Sequence, residues 1–264
     1  MKELMLAAPV FLPLAGGAAL LTLSGRQKDS PAIKIVSGAF TLGVSLVIFW
    51  LLGRKPEDGL VLFRLYGSLT VKFQMDAMGS VFLSLIGFLW PLATLYSFEY
   101  MKHEERKPAF FAYYLMTYGI TAGIALAGNL VTLYLFYEMM TLLTVPFVIH
   151  SGTEEATKAA MKYLGYSIFG AGLALLGAFF LNYYCDSITF TAGGTLNTSL
   201  VSGNENTLLV IFLIMMIGFG CKAGMWPLHG WLPTAHPVAP SPASAVLSGI
   251  ITKGGVLAMI RVAY

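Results

Sequence analysis

The sequence predicts an all-α integral membrane protein, a polytopic bundle of about eight helices with a discontinuous seventh. Three observations carry that fold class. Apolar residues make up 57% of the 264 positions and charged residues only 11%, with a mean hydropathy of +0.74; soluble domains carry roughly a quarter charged residues. Apolar stretches of about 20 residues, the length that crosses a bilayer, recur along the chain. The seventh stretch runs into "FGCKAGMWPLHGWLP", residues 219–233, where a lysine lies at membrane depth and two glycines and two prolines follow it.

The eight stretches cover residues 4–23, 33–52, 75–96, 109–128, 130–150, 159–184, 208–222 with a broken continuation, and 241–263. The first is a retained helix, because Arg26 and Lys28 follow the apolar run and a signal peptide has its positive charges in front. Between the second and third, "GLVLFRLYGSLTVKF", residues 59–73, alternates around Tyr66-Gly67-Ser68 and is rich in β-formers, which predicts a hairpin. The connection 185–206 contains no Lys or Arg. Arg26, Lys28, Lys34, Lys102, Arg106, Lys107, Lys158 and Lys162 fall on the odd-numbered loops, against Lys2, Arg54, Lys55, Arg64 and Lys72 on the other side. The positive-inside rule then places the N-terminus, the hairpin and the 185–206 connection outside.

Sixteen Lys and Arg against thirteen Asp and Glu, with no basic tract, argue against nucleic acid as a partner. Cys185 falls in a predicted loop and Cys221 inside an apolar stretch, so neither a disulfide nor a CxxC metal site is predicted. A b-type haem needs histidines facing one another from mid-helix, and His103, His150, His229 and His236 lie in loops, at helix ends or beside the break. With no HExxH, no GxSxG and no acidic pair at ligand spacing, an intramembrane enzyme is disfavoured. The expectation is a chain with no metal and no redox cofactor of its own.

Three ionisable residues fall near the middle of predicted helices: Glu138 in "LYLFYEMMTLLTV", Lys222, and Lys253 in "SGIITKGGVLAMIR". They lie about 12, 21 and 18 Å along their segments, inside a core roughly 30 Å thick. A charge at that depth costs on the order of 3 kcal/mol, so such residues pair, face a hydrated cavity or carry ions. A lysine can snorkel to the headgroups; the short carboxylate of Glu138 cannot. A static Glu138–Lys222 pair is a poor stabiliser because desolvation offsets the attraction, so a couple that separates and exchanges a proton is the expected use. Gly224, Pro227, Gly230 and Pro233 break the helix after Lys222, and irregular backbone at membrane depth persists only where protein buries it or water lines it. Pro227 is expected to free the Ala223 carbonyl and open a polar chain from Lys222 past His229 towards Lys253. His229 and His236 flank the break as candidate proton relays, or as ordinary hydrogen-bonded histidines at a helix end.

The stretch "KAGMWPLHGWLPTAHPVAPSPASAVLSGIITKGGVLAMIR", residues 222–261, resembles the signature of the proton-conducting, antiporter-like subunits shared by respiratory complex I, Mrp-type sodium/proton antiporters and group 4 membrane-bound hydrogenases. Its pattern is a lysine, then P-x-H-x-W-L-P, A-H, A-P and S-A, and a second lysine. "MDAMGSVF" at 75–82, "YSFEYM" at 96–101, "FYEMMTL" and "KAAMKYL" at 158–164 extend the resemblance over most of the chain from Met75 onward. "AHPVAPSPASA" is more similar to the hydrogenase and formate-hydrogenlyase branch than to the others. The resemblance implies that Glu138, Lys222 and Lys253 are the family's helix-5 glutamate, helix-7 lysine and helix-8 lysine, the input half of a proton path. It also implies two parts: residues 1–108 as three N-terminal helices with the outer-face hairpin, and 109–264 as the first five-helix translocating repeat. Family members have about fourteen helices, the second repeat inverted relative to the first. This chain stops at Tyr264, so it is expected to be either a truncated copy or a half-length subunit completed by a neighbour.

The expected function is an ion-translocating membrane subunit of a redox-driven complex, passing H+ or Na+ through Glu138, Lys222, Lys253, His229 and His236. Its partners would be the lipid bilayer and the other membrane subunits, with hydrogen, formate or NADH oxidation residing on neighbours. Its expected place is the inner, cytoplasmic membrane. Two other readings are a non-pumping scaffold, which would tolerate Glu138→Gln, and a subunit of a multisubunit Na+/H+ antiporter.

Overall fold

A computed structural model describes residues 3–24, 31–56, 58–67, 69–104 and 106–264. Lys2, Arg26, Lys28 and Ser68, which enter the orientation, first-helix and hairpin-turn expectations, lie outside the described residues. A 3₁₀ turn, Glu3–Leu6, leads into α1 (Ala8–Ser24), α2 (Pro31–Arg54), strands β1 (Leu60–Tyr66) and β2 (Leu69–Phe73), α3 (Ala77–Tyr100), α4 (Lys107–Ala125), α5 (Leu130–Val148) and α6 (Glu154–Tyr184). A one-turn helix, α7 (Thr198–Val201), precedes α8 (Glu205–Ala223) and a second short helix, α9 (Leu232–Ala235). The last long helix joins α10 (Ser241–Val246), a π-helical stretch Leu247–Ile251 and α11 (Thr252–Ala263).

Among the described residues six helices are long and apolar enough to cross a membrane, spanning 32–54, 77–103, 130–148, 154–184, 205–223 and 241–263. Their outward faces carry large apolar side chains such as Ile35, Leu46, Leu95 and Phe179, the surface a lipid solvent requires. The chain is a multi-pass membrane protein. The first predicted segment forms a shorter apolar helix, α1. The fourth, α4, is the inner post of the bundle, buried along almost its whole length. A helix screened from lipid need not be uniformly apolar, and α4 carries tyrosines and threonines, three of which find polar partners inside. Thr117 and Thr121 bond back to carbonyls one turn earlier at 2.8 and 2.7 Å, and the Tyr118 hydroxyl lies 2.7 Å from that of Ser45 on α2.

The termini are set by local chemistry. Asp76, Asn129 and Thr153 cap α3, α5 and α6, each accepting the amide hydrogen of the residue three positions on. α1 packs on α4, α2 on α3, and α6 and α11 on α8. The α6–α8 contact needs small residues: a Cβ on Gly218 would sit 2.6 Å from the Ala174 amide nitrogen and 2.7 Å from the Gly170 carbonyl oxygen. The predicted hairpin forms, antiparallel with two register shifts. Backbone bonds tie it to the α4–α5 turn, Gln74 N–H to the Leu126 carbonyl at 2.8 Å and Gly128 N–H to that of Lys72 at 2.9 Å. The 185–206 connection meets the same turn, Leu130 N–H to Ile188 at 3.1 Å and Phe190 N–H to Gly128 at 3.0 Å. Hairpin and connection therefore cover one end of the bundle.

Candidate functional site

The site begins where α8 ends. Gly224 takes left-handed backbone, φ 75°, its amide bonding to the Cys221 carbonyl at 3.3 Å while that of Met225 reaches Gly220 at 2.9 Å. Glycine reaches this capping conformation with no Cβ strain. Pro227 lies beyond the cap, so the expected mechanism is corrected: the helix has already stopped at Gly224, and proline shapes only the turns that follow. Those turns are sewn back onto α8. Trp231, 1% exposed, donates its Nε1–H to the Cys221 carbonyl at 2.8 Å and packs its ring 4.8 Å from that of Tyr163. The interrupted segment is thus a fixed plug rather than a frayed end.

Lys222, in the last turn of α8, is 1% exposed. Its ammonium donates to the Tyr137 carbonyl at 2.9 Å and to the Thr141 hydroxyl, and it lies 4.1 Å from the centroid of the Tyr137 ring. All three partners come from one turn of α5. Glu138 belongs to the same turn, and its charge and that of Lys222 act on one another. The two do not form a direct ion pair: the amine bonds to neutral oxygens, and Glu138 Oε1 is buried without a hydrogen-bond partner. An ammonium held only by neutral groups, with an unpartnered carboxylate oxygen on the same turn, is a costly arrangement that a structural pair would have closed.

The other candidates sit apart. His236 packs against the plug, its Nδ1 2.7 Å from the Ser244 hydroxyl and its ring stacked on Trp231. His229 is exposed. Lys253 is exposed as well, its amine bonding to the Ser248 carbonyl at 2.7 Å and the Thr252 hydroxyl at 3.4 Å on its own helix. The expected chain from Lys222 past His229 to Lys253 is not assembled by these side chains, since every Lys222 bond runs to α5.

Two features escaped the sequence reading. One is Thr141, which no motif flags. The other is a bidentate pair between Asp76 at the start of α3 and Arg261 near the end of α11, Nη2 to Oδ1 at 2.8 Å and Nη1 to Oδ2. The guanidinium also lies over the Phe190 ring of the 185–206 connection. Burial works to raise the Asp76 proton affinity, but the Arg261 bond and charge and the Gly79 amide together hold its carboxyl below the usual range. The only signal available was a charged residue at the edge of each apolar stretch.

A sealed lysine at the end of an interrupted helix, with a half-buried glutamate on the helix that holds it, is the kind of intramembrane charge that the bilayer tolerates only with polar company. The family described as NADH:quinone oxidoreductase/Mrp antiporter, TM, matches residues 127–264, more than half of the chain, and that described as NADH-ubiquinone oxidoreductase (complex I), chain 5 N-terminus, matches residues 66–111. The chain belongs to the NADH:quinone oxidoreductase/Mrp antiporter family. It is 32% identical over 200 residues to hydrogenase-4 component B of Escherichia coli, covering 75% of this chain and 29% of that protein. It is 25% identical to a Na(+)/H(+) antiporter subunit of Alkalihalophilus pseudofirmus, covering 96% of this chain and 51% of the other. The chain therefore spans about half or less of the length of these relatives. Its fold is also that of a chain in the membrane-bound sulfane sulfur reductase, an archaeal respiratory membrane complex, with a TM-score of 0.79 at 20% identity over 96% of this chain and 52% of that one.

Proposed function

We propose that this chain is the ion-translocating part of a membrane subunit of a redox-driven complex. H+ or Na+ passes by way of Glu138, Lys222 and Lys253, with His236 and His229 at the plug between the two lysines. The observation that carries the reading is the buried Lys222 ammonium, held by neutral oxygens one residue away from an unpartnered carboxylate oxygen. A couple left open in this way can take up and release a proton as its spacing changes. Residues 1–108 serve as the N-terminal helices with the hairpin, and 109–264 as the translocating repeat. The redox chemistry resides on neighbouring subunits, and the chain holds no redox cofactor. The excess of Lys and Arg on the odd-numbered loops supports an inner-membrane orientation with the N-terminus and hairpin outside. A second reading, a subunit of a multisubunit Na+/H+ antiporter, is favoured by the antiporter relative whose match takes in 96% of this chain.

The test uses the full-length protein in its own complex, purified and reconstituted in vesicles. Glu138→Gln and Lys222→Met should each lower the initial rate of ion translocation by about 10-fold or more, while electron transfer to an artificial acceptor continues. Unimpaired pumping by both variants would identify a scaffold instead. Following a pH dye and a sodium dye in parallel separates the two ions, and pumping without any redox turnover separates the antiporter reading.

A further inference from the structure

We infer that Thr141 is a positioning residue for ion translocation: its hydroxyl, together with the Tyr137 carbonyl, is a neutral holding place from which the Lys222 ammonium moves to Glu138 and back. This rests on the functional reading of Glu138 and Lys222 above.

The inference comes from comparing the buried threonines. A threonine inside a helix ordinarily returns its hydroxyl to the carbonyl one turn earlier. Thr94, Thr117, Thr121 and Thr144 do so at 2.7 to 2.8 Å. Thr141, 2% exposed, has drawn away from that acceptor, and its oxygen lies 3.5 Å from the Tyr137 carbonyl. Its strong partner is Lys222 on α8. Tyr137 and Thr141 are one turn apart on α5 and so share a face, while Glu138 is rotated by about 100° from Tyr137. Rotations of the long lysine side chain carry the ammonium from one face to the next.

The neutral stop matters because of the medium. Direct contact between ammonium and carboxylate is strongly attractive at low dielectric, and a lysine with only that partner would stay there. A hydroxyl and a carbonyl bond the ammonium without cancelling its charge. They give it a second position of similar energy, and Glu138 is released to exchange its proton. Valine at 141 keeps the shape and removes this position.

The experiment compares Thr141→Val, Thr141→Ser, Lys222→Met and the Glu138→Gln/Thr141→Val double variant in the full-length protein within its complex, reconstituted in vesicles. Thr141→Val should lower the maximal translocation rate by about 10-fold, the loss of one hydrogen bond to a charged group, with the apparent affinity for the ion unchanged. Thr141→Ser should recover the rate to within about twofold. The double variant should pump no more slowly than Glu138→Gln alone. If Thr141→Val does not assemble, Thr141→Ala carries the same expectation. Wild-type pumping by the valine variant, or a serine variant no better than valine, overturns the inference while leaving the functional reading intact. Unimpaired pumping by Lys222→Met overturns both.

Discussion

Lys222, at the end of α8, is 1% exposed and directs its amine onto α5, whereas Lys253, at the start of α11, is exposed and folds its amine back onto its own turn. Lys222 reaches partners 85 and 81 positions away in sequence; Lys253 reaches five and one. The π-helical stretch before Lys253 helps to explain the second case. Its wider turn leaves the Ser248 carbonyl accepting from both the Thr252 hydroxyl at 2.8 Å and the Lys253 amine at 2.7 Å. A buried ammonium is therefore held by oxygens from another helix, so its position reports how two helices are registered. An ammonium satisfied within its own turn reports nothing about its neighbours, and at membrane depth it still calls for polar company on its open side.

The contrast can be broken most directly by chemistry on the amines. In the solubilised chain, a small amine-reactive reagent followed by mass spectrometry should modify Lys253 faster than Lys222 by on the order of 100-fold, because Lys222 reacts only when the α5–α8 contact opens. Equal rates would mean that the α8 end is not sealed. A smaller effect sharpens the Lys253 side. Asp76→Asn leaves Arg261, two turns beyond Lys253, without its charge partner. It should lower thermal stability in detergent by about 2 kcal/mol, less than a fully buried pair because the Asp76 side chain is 37% exposed to screening solvent. Since the folded state depresses the Asp76 pKa, this contribution is present above the ordinary carboxylate range and is lost as pH falls through and below it. The Asn variant should lack that acid sensitivity, and an unchanged acid profile would remove the pair from the account. The smallest effect concerns the cap: Gly224→Ala should cost about 1 kcal/mol through its positive φ, raising Lys222 labelling while leaving Lys253 labelling unchanged. If both lysines respond alike, the two helix ends are one cooperative unit.

Much of the architecture was legible because a bilayer imposes a single demand on length and polarity. The apolar stretches became helices, the alternating stretch 59–73 became a hairpin, and the break after Lys222 lies where glycine and proline gather. The lysine and the glutamate within apolar stretches announced themselves by their cost. What hydropathy does not encode is azimuth, the direction a residue faces around its helix. Lys222 and Lys253 look equivalent in sequence, yet packing seals one and leaves the other open. Thr141 was silent for the same reason, since a threonine in an apolar helix acquires its role only through the register of α8 against α5. α4 shows the converse, a helix with too many hydroxyls to pass for a lipid-facing span because its neighbours screen it from lipid. Glycine and proline were both read as breakers after Lys222, and the one met first along the helix ended it.

Asp76 and Arg261 stand 185 positions apart, and during synthesis that separation is also an interval of time. At the ordinary pace of translation of about 5–20 residues per second, the carboxylate leaves the ribosome about 10–40 s before its guanidinium. The cap of α3 that Asp76 also provides, bonded to the Gly79 amide at 2.7 Å, is local and needs nothing made later than Gly79. The hairpin beside it can already be fastened to the α4–α5 turn, which is made well before residue 261. The ion pair requires α10 on α3 and α11 on α8, so it cannot close before α11 has been made: a socket at one end of the bundle, filled by the helix that arrives late.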